Sequence, residues 1–105
     1  MKKEIRINAF DMNTGVHQSQ GLWRHPRDRS SEYTTLRYWQ DLAKVLERGK
    51  FDGIFLADVT GVYDVYGSNC DAALRNGVQV PNCDPFLLVP AMAAVTEHLG
   101  FGVTG

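Results

Sequence analysis

The chain has 105 residues, enough for one modest domain, with 44% hydrophobic residues, 22% charged residues and a formal net charge of −1. That near-balance argues against a nucleic-acid-binding surface, which needs a Lys/Arg surplus, and leaves no charged tail to explain. The longest apolar run, Phe86 to Val95, is too short to span a bilayer and contains Pro90, and Met1-Lys2-Lys3 passes directly into Glu4-Ile5-Arg6 with no apolar signal core. The expectation is a cytoplasmic protein without membrane or nucleic-acid partners.

Glu4 to Phe10 places Ile5, Ile7 and Ala9 on one face, the period-two signal of a strand. Asp11 to Tyr33 is polar, with Gly15, Gly21 and Pro26, and reads as a long loop. A helix is predicted over Thr34 to Arg48, with Leu36, Trp39, Ala43 and Leu46 as its apolar stripe. Gly49 suits the left-handed position just past its end. Asp52 to Asp58 is a second strand, and its continuous apolar centre, Ile54 to Ala57, suggests cover on both faces. Val59 to Cys83 is a second long loop with a turn of helix at Asp71 to Arg75.

Asp84-Pro85 opens another helix, Asp84 as cap and Pro85 at the first position, where no N–H is needed. Its predicted stripe is Leu88, Ala91, Met92, Val95 and Leu99, with Gly100 as the stop. Phe101 to Thr104 begins a third strand. The order β-loop-α-β-loop-α-β implies an α/β fold with a parallel sheet and right-handed crossovers. Three strands are far short of a closed (β/α)8 barrel, which takes roughly 250 residues. The reading is therefore a truncated chain with one incomplete domain over residues 1–105.

Both segments that follow a strand are long, and both turns that follow a helix are short. Long structureless loops are usually functional, and in barrels and open α/β sheets alike the site lies at the strand C-termini. That directs attention to Asn8, Asp11, Asp58 and Thr104. A carboxylate directly after four apolar residues is costly unless hydrogen-bonded, so Asp58 must accept bonds from backbone, a neighbouring side chain or a ligand. His17 in loop one is of a type that serves as acid, base or donor near neutral pH. Trp23 offers a flat apolar wall, and Tyr63 and Tyr66 in loop two offer hydroxyls and rings.

Cys70 and Cys83 have no Cys or His two to four residues away, and His17, His25 and His98 form no His-x-x-x-His. No metal site is expected, and both cysteines are read as reduced thiols. There is no Gly-x-Gly-x-x-Gly after a strand, no phosphate-loop Gly-Lys-Ser/Thr and no Gly-x-Ser-x-Gly elbow.

Several segments together carry a family resemblance. They are Lys50-Phe51-Asp52-Gly53-Ile54-Phe55-Leu56-Ala57-Asp58, Gly61-Val62-Tyr63-Asp64-Val65-Tyr66-Gly67, Asp84-Pro85-Phe86-Leu87-Leu88-Val89-Pro90-Ala91-Met92-Ala93-Ala94-Val95-Thr96 and Leu99-Gly100-Phe101-Gly102-Val103-Thr104, joined by Trp23-Arg24-His25-Pro26. The chain resembles the luciferase-like flavin-dependent monooxygenases, in the branch that includes nitrilotriacetate monooxygenase component A and the alkane, dibenzothiophene-sulfone and dimethyl-sulfide monooxygenases.

The resemblance implies the first three strands of a (β/α)8 TIM barrel. It implies a parent enzyme that takes reduced FMN from a separate flavin reductase and uses O2 to oxygenate a small organic substrate, usually as a homo-oligomer. Asp58 and Thr104 match family flavin contacts, and His17 and Tyr63 match positions bordering flavin and substrate. Trp23, Val62 and Val65 are expected to help keep that pocket dry. Phosphate-binding elements are expected later in the barrel, so the isolated piece is expected to be inactive. Thr14 stands where an alkane-oxidising relative has Cys. The competing readings are a deazaflavin (F420) oxidoreductase of the same superfamily and a non-catalytic, partner-binding remnant.

Overall fold

The computed structural model describes residues 2–15, 18–59 and 61–104. Three strands, β1 (Asn8–Met12), β2 (Gly53–Ala57) and β3 (Gly100–Val103), form one parallel sheet in the order β1-β2-β3. Asn8 pairs with Gly53, and Gly53 with Gly100, so the three strands start level. The backbones approach closely there. A Cβ on Gly53 would lie 2.9 Å from the Gly100 carbonyl oxygen and 3.1 Å from Asn8 Oδ1, so only glycine fits.

Helix α1 (Leu36–Arg48) connects β1 to β2, and a short helix α3 (Val89–Ala93) precedes β3. Thr35 caps α1 by accepting the Tyr38 N–H, and a turn of 3-10 helix, Ser30–Thr34, leads into it. Trp39, Ala43 and Leu46 of α1 and Leu88, Met92 and Leu99 around α3 pack with Ile54 and Leu56 of β2 into one buried cluster. Ile54 and Leu56 alternate with Phe55, so both helices cover the same face of the sheet. Burial of each such aliphatic side chain stabilises by about 1.5–3 kcal/mol. Trp39 is fully enclosed, and its indole N–H is satisfied by the Tyr33 carbonyl at 2.8 Å.

The alternation in residues 4–10 does not mark a buried strand face. Ile5 is 88% and Ile7 50% exposed, and the ladder begins only at Asn8. Ahead of it the chain is held by Asp52, whose N–H donates to the Ile7 carbonyl at 2.8 Å. The Asp52 carboxylate accepts from the Ile7 N–H at 2.7 Å and from Arg6 at 3.1 Å. These bonds fix the backbone without covering the side chains. Leu36 likewise lies exposed at the first turn of α1, ahead of the stripe that faces the sheet. β2 is sealed on its helix-facing side, while Phe55 remains 36% exposed on the other, stacked on Phe10 at 5.2 Å.

The predicted long helix from Asp84 is instead a 3-10 turn, Pro85–Leu88, followed by the five residues of α3. Asp84 does cap it, accepting the Phe86 N–H at 3.0 Å. Pro90 has no N–H to continue a ladder from the turn before it, so a single uninterrupted helix is not available. Gly100 is not a helix stop; it is the first residue of β3.

Gly49 is not left-handed either, with φ −77°. Lys50 takes that conformation at φ 62°. The Lys50 N–H reaches the Glu47 carbonyl and the Phe51 N–H the Leu46 carbonyl, the bonding pattern of a Schellman C-cap with Lys50 at its left-handed position. A Cβ on Gly49 would sit 3.3 Å from the Phe51 ring.

Glu47 closes the base of the fold. Its Oε1 accepts the backbone N–H groups of Glu97 at 2.8 Å, His98 at 2.6 Å and Leu99 at 3.2 Å, clamping the turn between α3 and β3 onto the end of α1. The His98 N–H, with those of Glu97 and Leu99, holds the carboxyl below its ordinary value of 4.5. A carboxyl depressed in the folded state contributes stability that is complete above its unfolded value and is lost as pH falls through the folded one. Acid titration of unfolding therefore is expected to narrow the gap between the wild type and Glu47→Gln as pH falls below the ordinary carboxyl range. Lys50→Gly relieves the left-handed side-chain penalty and is expected to stabilise the fold by about 1 kcal/mol, read as a higher urea midpoint.

Candidate functional site

Parallel strands leave the sheet at one edge, so both long loops rise from the C-terminal ends. Loop one carries a 3-10 turn at Leu22–Arg24, and loop two carries one at Tyr66–Ser68 and helix α2 (Asp71–Asn76). The loops are stitched to each other. Thr14 forms an antiparallel bridge with Asn82, and its hydroxyl donates to the Pro81 carbonyl at 2.8 Å. The Cys83 N–H donates to the Asn13 carbonyl at 2.8 Å, and Asn13 Nδ2 to the Asp84 carbonyl at 3.3 Å. Farther out, Trp23 Nε1 donates to the Asn76 carbonyl at 3.2 Å and Arg24 to Asn76 Oδ1 at 3.1 Å. The Arg24 guanidinium lies 5.1 Å from the Trp23 ring centroid.

Asp58 and Thr104, each just beyond its strand, meet directly. The Asp58 N–H donates to Thr104 Oγ1 at 2.9 Å, while the Thr104 N–H continues the ladder to the Leu56 carbonyl at 3.1 Å. The half-buried Asp58 carboxylate accepts through Oδ1 from Asn82 Nδ2 at 3.0 Å, and the same amide reaches the Val59 carbonyl at 3.1 Å. Asp58 Oδ2 has no hydrogen-bond partner among the described residues. Thr104 is exposed, and since its oxygen accepts from Asp58, its O–H is left to donate outward.

Tyr63 sits elsewhere, half-exposed in a cleft of about 470 Å³ between the loops, with Gln20, Arg24, Tyr66, Asn76 and Val78 among its walls. Asp58 and Thr104 do not line that cleft. His17 lies outside the described residues, so its relation to Tyr63 is not part of this geometry. Val65 and Tyr66 are more than four-fifths exposed, whereas Trp23 is half-buried, with its indole against the end of α2. A larger cleft of about 760 Å³ is lined by Lys44, Glu47, Arg48, Lys50, Glu97 and His98. It belongs to the helix-to-strand base, away from the strand C-termini.

The residue missed in the sequence is Asn82. The need of Asp58 for a donor was legible, but a partner 24 positions away in an irregular loop leaves no periodic trace. Among the described residues no group of three or more His, Cys, Asp or Glu is placed to hold a metal ion, and no helix is long and apolar enough to cross a membrane. Cys70 and Cys83 are free.

No protein-family model matches the chain. It is 56% identical over 104 residues to a long-chain alkane monooxygenase of Geobacillus thermodenitrificans, a match covering 99% of this chain and 24% of the relative. It is 58% identical over 104 residues to a dimethyl-sulfide monooxygenase of Hyphomicrobium sulfonivorans, covering 99% of this chain and 22% of the relative. A crystal structure of long-chain alkane monooxygenase superposes with a TM-score of 0.94 at 55% identity, over 100% of this chain and 24% of that one. A riboflavin lyase crystallised with modified FMN and riboflavin superposes with a TM-score of 0.83 at 33% identity, over 98% of this chain and 23% of that one. The chain thus spans about a quarter of the length of the curated relatives it matches. Over that span it is a homologue of these monooxygenases.

Thr14 is almost completely buried. Thr14→Val keeps its shape and removes the hydroxyl, leaving the Pro81 carbonyl without that donor. The expected cost is about 1 kcal/mol, with faster hydrogen exchange confined to the ends of the two loops, while Thr14→Ser stays near wild type.

Proposed function

We propose, from the premise that the chain is homologous to these monooxygenases, that it forms the first three strands of a (β/α)8 barrel within one domain of an FMN-dependent monooxygenase. That enzyme takes reduced FMN from a separate flavin reductase and, with O2, oxygenates a small organic substrate in the cytoplasm as a homo-oligomer. Two features support the barrel: the sequential order β1-β2-β3, and both crossover helices on one face of the sheet. A doubly wound sheet places helices on both faces.

The observation that carries the cofactor assignment is the joined pair Asp58 and Thr104 at the strand C-termini. Its donor set suits the imide edge of a flavin ring, where an N–H lies between two carbonyls. Asp58 Oδ2 is an acceptor with no partner among the described residues, and the exposed Thr104 hydroxyl, which accepts from Asp58, still has its O–H to donate. Neither is paired with a Lys or Arg among the described residues, so this wall suits the ring and not the phosphate.

Bound reduced FMN supplies the activation of oxygen. The chain orients the ring through Asp58 and Thr104. Tyr63 and His17 border the substrate on this reading, with Tyr63 presenting a hydroxyl and an apolar ring from the 470 Å³ cleft. Trp23 and Val62 help limit water between the loops on this reading. The 105 residues alone do not turn over substrate on this reading, because the phosphate grip lies in later strands.

The test is FMN titration of the full-length protein, followed by flavin fluorescence. The double variant Asp58→Ala/Thr104→Ala is expected to bind FMN at least about tenfold more weakly, as loss of two polar contacts including one to a charged group implies. Unchanged affinity would remove the cofactor assignment.

A further inference from the structure

We infer that Asn82 is a positioning residue for the flavin wall, acting through Asp58; the inference rests on the proposed contact between Asp58 and FMN. The Asn82 amide supplies two donors, and one goes to the Asp58 carboxylate at 3.0 Å and the other to the adjoining Val59 carbonyl at 3.1 Å. A side chain bonded to both a carboxylate and the next backbone carbonyl fixes the carboxylate relative to the main chain. It also occupies Oδ1, so Oδ2 is the oxygen left for a ligand N–H.

Asn82 is itself held from both sides. It bridges Thr14, the preceding Pro81 carbonyl accepts the Thr14 hydroxyl at 2.8 Å, and the following Cys83 N–H donates to the Asn13 carbonyl at 2.8 Å. The exits of all three strands are therefore connected in one line: Thr14 beyond β1, Asn82 from loop two, Asp58 beyond β2 and Thr104 beyond β3. Asn82 is the member of that line that does not follow closely on a strand, yet its contacts set the orientation of the one that carries the charge.

The experiment is a double-mutant cycle on FMN affinity in the full-length protein, read by flavin fluorescence and by the shift of the flavin absorption bands on binding. Asn82→Ala is expected to weaken FMN about tenfold, the scale of a hydrogen bond to a charged group. In an Asp58→Ala background the same change is expected to do nothing beyond about twofold, because no carboxylate remains to be oriented.

Equal weakening in both backgrounds would mean that Asn82 acts on the loops at large, and the inference falls. Full affinity in Asn82→Ala alongside weak binding in Asp58→Ala overturns the positioning role while the flavin reading stands. Full affinity in Asp58→Ala removes the flavin reading and the inference with it. Asn82→Asp guards against a misfolded alanine variant. It keeps the size of the side chain but presents a carboxylate to Asp58 with no donor, and is expected to bind FMN at least as weakly as Asn82→Ala.

Discussion

Parallel pairing of three level strands is the constraint on which the rest of the molecule depends. Every strand must be entered at one edge of the sheet and left at the other, so the connections divide into two kinds. Turns into strands are short and crowded against the sheet, where Gly53 tolerates contact with Gly100 and Asn8 that no side chain would allow. Exits from strands carry long polar loops. Two carboxylates serve the first edge: Asp52 binds the Ile7 N–H and Arg6, and Glu47 gathers three backbone N–H groups ahead of β3. Both are held below their ordinary values by the backbone donors they accept. At the opposite edge Asp58 keeps one carboxylate oxygen without a partner among the described residues. The same carboxylate group thus braces one edge and is presented at the other, and the difference lies in how many donors reach it.

The sheet is also divided by face. Ile54 and Leu56 are sealed under Trp39, Ala43, Met92 and Leu99. The opposite face carries the stacked pair Phe10 and Phe55, partly open, with Gly102 close enough that a Cβ would contact the Phe55 ring at 3.4 Å. Helices cover one face of β2, while on the other Phe55 meets only Phe10 and stays partly open, so among the described residues the apolar run is covered on one face, not the two that its sequence suggests. On the barrel reading that aromatic pair belongs to the barrel interior.

The sequence was most legible where a single local rule decides. The α1 stripe, the apolar centre of β2, the Asp84 cap and the helical turn after Cys70 each follow from residue type and spacing alone. It misled where two rules compete. Ile5 and Ile7 alternate as a strand does, but strand extent is set by what β2 offers as a partner, and the ladder begins opposite Gly53. Gly49 is the residue that most readily turns left-handed, yet the Schellman bonds fall one position later and Lys50 accepts the strain. Leu88, Ala91, Met92, Val95 and Leu99 are spaced as one helix, but Pro90 lies among them and its missing N–H outweighs that spacing. In the candidate site, Asp58 and Thr104 were legible as polar residues at strand ends. Their mutual contact and the Asn82 brace were not, because both depend on which loops meet.

That distinction bears on position 14. The family resemblance sets Thr14 against a Cys expected in an alkane-oxidising relative, and from the sequence that reads as a difference in the pocket. In the fold the Thr14 side chain is almost fully buried, and its hydroxyl is committed to the Pro81 carbonyl, next to the residue that braces Asp58. A thiol is a weak donor and a longer one, and does not reproduce a 2.8 Å bond to a carbonyl. Threonine at this position therefore acts on the alignment of loop two over the strand ends, where Asn82 meets Asp58. A buried hydroxyl thus bears on Asp58 without touching it; the route is a run of hydrogen bonds across three strand exits.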